Sequence, residues 1–255
     1  MLLSTLSVLV AFGLPSALAK QTFSNTGTRT GWDSFTHEHK GTVDAVSDVV
    51  YKGSTALKMT QIYDSSYTGR YHSEALKHDV YKKGDTGSYG FAFQLQKDWE
   101  FTKDVSFNLA QFIADFSDLG CEETYMPSTM ISIVGDQLAA RVKTGSVCPT
   151  SAQKTTKWAG LAKVSAGVWH TVVIQASWKS DESGFFRIWF DGQQVHEETG
   201  IKTTVSDGRA FDFRVGLYAN GWHDNGYSGN QPTRTVWYDQ IAVGSDMADA
   251  DPAKW

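Results

Sequence analysis

Short runs in which apolar and polar residues alternate follow one another along most of this chain. The most informative run is FRVGLYAN at residues 213–220. Alternate side chains of a β-strand point to opposite faces, so Val215 and Leu217 share a face that suits a buried core. The opposite face carries Arg214, Gly216, Tyr218 and Asn220. A cation, a phenol and an amide side by side indicate either a binding surface, which the glycine lets a ligand approach, or a solvated sheet face.

Ten such runs are short, rich in β-branched and aromatic residues, and bounded by Gly, Asp, Ser or Asn, which is typical of strands. They cover residues 53–61, 70–76, 89–96, 105–113, 130–134, 138–143, 169–178, 185–190, 211–219 and 235–243. Asp191-Gly192 predicts a hairpin turn between the run 185–190 and a further strand at 194–197. No window shows a convincing helical period, and the two candidate helices, 115–119 and 247–254, are short. We therefore predict an all-β fold, a concanavalin-like β-jelly-roll sandwich of two antiparallel sheets.

The first segment has the pattern of a secretory signal peptide. An apolar run spans residues 2–11, and ALA at 17–19 supplies the small-residue cleavage pattern, although the usual basic start is missing. We predict that residues 1–19 are removed, that 20–255 form a single domain, and that the protein is secreted and extracellular. The apolar run is too short to cross a bilayer, so no membrane partner is expected.

Two cysteines remain in a chain expected to meet an oxidising compartment. The even count favours a disulfide between Cys121 and Cys148, and the alternative is two free buried thiols. No CxxC or Cys/His pattern indicates zinc.

The formal charge is −5 and no basic run is present, which argues against a nucleic-acid partner. An acidic ligand remains compatible with this charge, because a local cationic cleft can lie in an acidic protein. Nine Trp and ten Tyr suit sugar rings as well as a β-sandwich core.

A second group of functional side chains lies at the start of the run 70–76. Arg70, His72 and Glu74 share one strand face, and this row is either a functional constellation or a solvated salt-bridge ladder. Gln111 lies in an apolar run, where an amide either pairs inside the core or faces a cleft, because buried amides need hydrogen-bond partners.

Several polar residues on other predicted strands are weaker candidates. Gln94 and Gln96 share one face, Arg141 points outward, and His170 lies near a strand edge, where a structural role is the default. Asp239 is a lone carboxylate in an apolar strand, where an unpaired charge is costly. It either binds one structural calcium ion, together with backbone carbonyls, or it caps a turn or bonds to a neighbour's backbone.

The order of these segments resembles that of the jelly-roll polysaccharide lyases. The matching segments are RYHSE at 70–74, NLAQFI at 108–113, GVWH at 167–170, Trp178, GFFRIWFDG at 184–192, FRVGLY at 213–218 and VWYDQIAVG at 236–244. The chain is similar to the glucuronan lyases, polysaccharide lyase family 20, and more loosely to alginate and heparin lyases. The resemblance covers nearly the whole chain after the leader, and it implies a jelly-roll carbon–oxygen lyase that acts on an acidic polysaccharide.

The resemblance also implies roles for individual residues. Tyr218 matches the proton-transfer tyrosine, and Gln111 matches the glutamine that helps to hold the uronate carboxylate. This chain has Ile113 where alginate lyases carry a histidine, which leaves His72 as a candidate substitute. Whether Arg70 or His72 supplies the cation that neutralises the carboxylate is open. The remaining polar candidates are expected to bind substrate: Arg214, Asn220, Glu74, Gln94, Gln96 and Arg141.

The reaction implied is β-elimination in β-1,4-linked polyglucuronate, which leaves 4,5-unsaturated uronate ends. Arg or amide donors neutralise the carboxylate, a base removes H5, and an acid protonates the leaving O4. Because H5 and O4 lie on the same side of glucuronate, Tyr218 could serve as base and then as acid. A phenol is a poor base at neutral pH, so Arg70 or Arg214 would have to lower its pKa. By analogy with related lyases we expect one calcium ion near Asp239. We also expect no organic cofactor and a monomer.

Three other functions compete with this interpretation. An alginate-type lyase would act on another polyuronate. A noncatalytic carbohydrate-binding jelly roll needs aromatic residues but no proton donor. A glycoside hydrolase needs two carboxylates facing each other across a cleft, and no such pair is evident on inward strands.

Overall fold

The computed structural model describes residues 20–226 and 229–254, and the predicted leader at 1–19 lies outside this range. The strands are β1 (Gln21–Asn25), β2 (Ser34–His37), β3 (Thr42–Val46), β4 (Ala56–Ile62), β5 (His72–Lys82), β6 (Thr86–Leu95), β7 (Ser106–Asp115), β8 (Tyr125–Val134), β9 (Gln137–Gly145), β10 (Gln153–Lys163), β11 (Trp169–Ser177), β12 (Gly184–Phe190), β13 (Gln193–Ile201), β14 (Ala210–Tyr218) and β15 (Thr233–Gly244). The α-helices are α1 (Asn220–Asn225) and α2 (Met247–Ala250).

The strands form two sheets whose strand pairs are antiparallel. The front sheet has the order β10-β9-β8-β7-β14-β5-β2, and the back sheet has the order β13-β12-β11-β6-β15-β4-β3. Strand β1 pairs with the C-terminal part of β15, an inner strand of the back sheet. Non-consecutive neighbours such as β7, β14 and β5 show that the chain crosses repeatedly between the sheets, as a jelly roll requires. The predicted all-β sandwich is confirmed.

One apolar core fills the space between the sheets. Val215 and Leu217 are fully buried there, as the alternation of β14 predicts. Aromatic side chains occupy much of the core, and Tyr81 stacks on Trp178 with ring centroids 4.0 Å apart. Trp178 Nε1 donates to the Tyr89 hydroxyl at 3.0 Å, which satisfies the polar ends of two of these rings. Burial on this scale is the main stabilising contribution to such a fold.

Helices are few and short, as predicted, but their bounds differ from the sequence prediction. The first candidate, 115–119, is a single 3₁₀ turn at Ser117–Leu119. The second is the helix α2, which Asp246 begins with a capping box, and which ends well before residue 254. Helix α1 was not predicted. No helix in the described part of the chain is long and apolar enough to cross a membrane.

Four strands, β1, β2, β3 and β10, were not anticipated. Most of their side chains are half-buried or exposed, so the apolar alternation that marks a half-buried strand is weak in them. Strand β5 begins at His72, two residues later than predicted, so Arg70 lies in the preceding loop.

The predicted disulfide is confirmed. Cys121 and Cys148 are bonded, with Cα atoms 6.1 Å apart. The bond ties the β7–β8 connection to the β9–β10 connection, at one end of the front sheet.

Candidate active site

The outer face of the front sheet forms a cleft of about 1130 Å³, which we call the front cleft. Its floor comes from strands and its rim from the loops around them. Four of its five Arg and Lys residues lie on strands: Arg214 on β14, Arg141 and Lys143 on β9, and Lys157 on β10. Its five acidic residues lie on loops or on α1: Glu38, Asp104, Glu122, Glu123 and Asp224. A cationic floor inside an acidic protein suits an acidic ligand.

Tyr218 lies on this floor at the end of β14. It is 5% exposed, and Arg70 Nη1 donates to its hydroxyl oxygen at 2.5 Å. Burial raises the pKa of the Tyr218 phenol, and the charge and hydrogen bond of Arg70 oppose this without reversing it. Arg70 lowers this pKa as the sequence led us to expect, but desolvation of the phenolate outweighs it, so the pKa of Tyr218 lies above its ordinary value. Tyr218 is a protonated phenol at neutral pH.

His72 packs directly against Tyr218. The two residues pair in register across β5 and β14, and their ring centroids are 3.9 Å apart. Nδ1 of His72 lies 2.7 Å from Oε2 of Glu38, a residue that immediately follows β2. The side chain of His72 is 12% exposed, so protein surrounds most of the ring. The structure thus brings together Arg70, His72 and Tyr218, as the sequence predicted.

Glu74 lies beneath the cleft floor and is fully buried. Its Oε1 accepts a hydrogen bond from Gln111 Nε2 at 2.7 Å, and its Oε2 lies 3.5 Å from Arg214 Nη1. The predicted contact of Glu74 with substrate is therefore wrong, because the residue has no exposed surface. Its carboxylate instead holds two cleft-lining side chains, the amide of Gln111 and the guanidinium of Arg214. A buried charge needs such partners.

Gln111 keeps capacity for a ligand in this arrangement. An amide nitrogen carries two hydrogens, and one of them is used by Glu74. Gln111 is 1% exposed yet lines the front cleft, so it sits at the floor rather than inside the core.

Arg141 and Asn220 also line the front cleft, as predicted. Nε and Nη2 of Arg141 lie 3.0 and 2.7 Å from the Met130 sulfur, which is a weak acceptor. Its charge has no carboxylate within ion-pair distance among residues 20–226 and 229–254, so it is suited to bind an anion. Asn220 begins α1 instead of continuing β14, and its buried Oδ1 has no hydrogen-bond partner in the described part of the chain.

Two predicted substrate-binding residues do not reach the cleft. Gln94 and Gln96 belong to β6 and the turn that follows it, in the back sheet, so the core separates them from the front cleft. Gln96 Oε1 accepts from the backbone of Thr235 at 2.6 Å, which is a structural contact. His170 is also in the back sheet, where it is 5% exposed and its Nδ1 lies 2.7 Å from Asp191. The structural role that was its default fits this position.

Asp239 does not fit a calcium ligand. Its Oδ2 accepts from the backbone nitrogens of Tyr51 and Lys52 at 3.1 and 2.9 Å, and its Oδ1 accepts from that of Gln240 at 2.7 Å. Donors surround the carboxylate where a cation would need further oxygens. No group of three His, Cys, Asp or Glu side chains within the described ranges could hold a metal ion. The alternative reading, an aspartate that fixes a turn, matches these contacts.

Sequence reasoning missed several cleft residues. Glu38 and Asp224 lie in segments without strand periodicity, so no face could be assigned to them. Lys143 lies two residues after Arg141 on β9, and this spacing could have identified it. Lys157 pairs with Arg141 from β10, whose weak alternation gave no such signal.

A model of the polysaccharide lyase family matches residues 24–242 of the chain. The chain belongs to the polysaccharide lyases. An endo-beta-1,4-glucuronan lyase from the fungus Trichoderma reesei is 50% identical to it, with a TM-score of 0.90, and the match covers 92% of this chain and 100% of that one. No curated protein matches the chain significantly.

More distant polysaccharide lyases and other proteins share only the fold. An alginate lyase from Aplysia kurodai is 8% identical, with a TM-score of 0.55, over 88% of this chain and 99% of that one. A carbohydrate esterase of the Shiga toxin-encoding bacteriophage phi24B is 14% identical, with a TM-score of 0.52, over 89% and 98%. Since an esterase shares this architecture, the fold alone does not define the reaction.

Proposed function

We propose that this polysaccharide lyase cleaves β-1,4-linked polyglucuronate by β-elimination. The observation that carries the proposal is the cluster on the cleft floor, where Arg70 holds the phenol of Tyr218 and His72 packs against its ring. The 50% identity to a glucuronan lyase supports this choice of polymer.

The proposed elimination consumes no water. A base takes H5, the C5–H electrons form the C4–C5 double bond, the C4–O4 bond breaks, and O4 takes a proton. Tyr218 starts as a neutral phenol, so it is suited to give that proton. His72 is the neighbouring group that can accept H5. This division of roles differs from the sequence expectation that Tyr218 performs both steps.

Charge develops on the uronate carboxylate as H5 leaves, so donors aimed at it stabilise the transition state. Gln111 has an amide hydrogen available, and Arg70 lies beside Tyr218. Arg214 is paired with Glu74 below the floor and therefore supports the site while contributing positive charge. Arg141 and Asn220 would bind neighbouring sugar units.

The test follows the ultraviolet absorbance of the unsaturated product formed from polyglucuronate. Tyr218→Phe keeps the ring but removes the exchangeable proton, and it should lower kcat by about 10²-fold or more with KM little changed. Gln111→Ala should lower kcat as well, because its contact strengthens in the transition state. Tyr125→Phe is the matched control, since this 58% exposed tyrosine also lines the cleft but its hydroxyl bonds to Asp115.

If folded Tyr218→Phe retains more than about a tenth of the wild-type kcat, the assignment of the proton donor is wrong. If the wild-type protein forms no unsaturated product from polyglucuronate but does so from another polyuronate, the proposed substrate is wrong while the reaction class stands.

We also infer secretion and a monomeric state. The leader pattern at 1–19 and the disulfide between Cys121 and Cys148 support secretion. Detection of the processed protein in culture medium tests secretion, and size-exclusion chromatography with light scattering tests the monomer.

A further inference from the structure

Glu38 is held beside His72 by backbone pairing as well as by its side chain. Strands β2 and β5 pair up to His37 and Ser73, and the next pair brings the Glu38 backbone nitrogen to the His72 carbonyl at 2.9 Å. Gln61, from the back sheet, donates to the same carbonyl at 2.5 Å and to Ser73 Oγ at 2.8 Å. The relative position of the two residues is therefore fixed on several sides.

One carboxylate oxygen of Glu38 is the hydrogen-bond acceptor for both the ring Nδ1 and the backbone nitrogen of His72. Oε2 lies 2.7 Å from Nδ1 of the ring and accepts from the backbone nitrogen at 3.3 Å. Burial alone would raise the pKa of Glu38, but the hydrogen bond and charge of His72 outweigh it and lower that pKa. Glu38 is thus a carboxylate at neutral pH, and a carboxylate only accepts hydrogen bonds. The hydrogen on Nδ1 is then fixed, and Nε2 is the ring nitrogen that gains or loses a proton.

We propose that Glu38 is the positioning residue of this site: it keeps the hydrogen on Nδ1 of His72 and leaves Nε2, beside Tyr218, as the proton acceptor. This inference rests on the proposed function, in which His72 removes H5. Glu38 itself does not contact the reacting atoms in this mechanism. Its effect is to set the tautomer and the ring orientation of His72.

The diagnostic variant is Glu38→Gln, which keeps the size of the side chain but replaces the carboxylate by a neutral amide, a weaker acceptor for the Nδ1 hydrogen and for the positive charge that His72 gains with H5. We expect kcat on polyglucuronate to fall by at least about tenfold, as part of the ~10²–10⁴-fold that acid–base catalysis contributes. KM should be unchanged or lower, because the substitution removes a negative charge from a cleft that binds a polyanion. Glu38→Ala should lower kcat at least as much.

Glu122→Gln is the matched control. Glu122 is an exposed residue of the same cleft whose carboxylate lies 3.4 Å from Thr150 Oγ1, at the disulfide end and away from His72. It loses the same charge, so its KM should be unchanged or lower while kcat stays at the wild-type value. If Glu38→Gln behaves like Glu122→Gln, Glu38 contributes only to the electrostatic field and the inference fails.

A spectroscopic measurement tests the tautomer without activity. In protein with isotope-labelled histidine nitrogens, long-range proton–nitrogen spectra at a pH where the ring is neutral should show the hydrogen of His72 on Nδ1. Glu38→Ala removes the acceptor of this hydrogen and should let it move to Nε2. A wild-type spectrum with the hydrogen on Nε2 would overturn the inference, even if Glu38→Ala fails to fold.

The two proposals fail in different ways. If wild-type protein is active and Tyr218→Phe is not, but Glu38→Gln keeps full kcat, only the role of Glu38 is wrong. If wild-type protein forms no unsaturated product from any polyuronate, the proposed function is wrong, whatever the tautomer of His72.

Discussion

Glu74 gives the most direct test of how the site is built, because its carboxylate is fully buried and supports two cleft residues. Glu74→Gln preserves the shape of the side chain and an oxygen that accepts from Gln111. It leaves the guanidinium of Arg214, whose side chain is 11% exposed, without its counter-charge. Removing one partner of a buried ion pair costs about 3–5 kcal/mol, and the isosteric change should fall near the lower end, at about 3 kcal/mol. For a chain of this size each kcal/mol lowers Tm by about 2–4 °C, so we expect a fall of about 6–12 °C.

The measurement is thermal unfolding followed by circular dichroism, with kcat measured on the folded variant. Glu197→Gln is the control, since Glu197 Oε1 lies only 2.8 Å from Arg187 Nε but the two side chains are 44% and 31% exposed. An exposed pair contributes about 0–1 kcal/mol, so its loss should lower Tm by less than about 4 °C. We therefore predict the larger loss of Tm for Glu74→Gln, because its ion pair is buried. The distances alone, 3.5 Å for Glu74–Arg214 and 2.8 Å for Glu197–Arg187, would predict the reverse. Equal losses of Tm in the two variants would refute the argument from burial.

Three further perturbations have expected outcomes. Asp239→Asn should destabilise the fold by about 1–3 kcal/mol, because one oxygen that accepts from the backbone becomes a donor, whereas EDTA should leave Tm unchanged; a fall of Tm on chelation would reinstate the calcium prediction. Replacing Cys121 and Cys148 by Ser should lower stability by about 3 kcal/mol in chemical denaturation, given the sequence separation of 27 residues, and a loss below about 1 kcal/mol would contradict this. Burial raises the pKa of Tyr81 and Tyr89, so the folded state retains their protons longer than the unfolded state does and stability should fall as pH rises above about 10. Phenolate absorbance that develops for these rings before unfolding would contradict their burial.

The sequence predicts the face of a residue better than its partners. In β14 the alternation correctly separates Val215 and Leu217, which face the core, from Arg214 and Tyr218, which face the cleft. The same rule treats Gln94 as equivalent to these residues, although it lies in the other sheet. Sheet membership depends on which distant strands pair, and this is decided by the whole fold rather than by a local period.

The position of Glu38 in the site could not be predicted from the sequence pattern either. Glu38 follows a four-residue strand whose side chains are only half-buried or exposed, so no periodicity assigns it a face. Its contact with His72 exists because β2 pairs with β5 in one register, and a shift of one residue would point its side chain to the opposite face. For Asp239 the sequence correctly marked an unusual buried carboxylate but left open whether a calcium ion or backbone donors satisfy it.

The irregular backbone around the site is held in place by the opposite sheet. The β14–β7 pairing shifts register between Val215 and Tyr218, and β7 shifts against β8 between residues 108 and 110. Such bulges re-aim side chains but leave backbone groups without ladder partners. The hydroxyl of Tyr238, on β15, lies 2.9 Å from the Gly216 carbonyl and 3.0 Å from the Leu109 carbonyl, one at each irregularity.

Gly216 is also required there by packing. Its φ is +154°, and a Cβ at this position would lie 2.3 Å from the Ser73 carbonyl oxygen of β5. The glycine therefore lets β5 approach β14, and it does not serve to admit a ligand, as its place on the polar face had suggested. This close approach sets His72 against Tyr218 and brings Glu74 under Arg214. The geometry of the proposed proton transfer thus depends on a glycine with no chemistry of its own and on a core tyrosine from the other sheet.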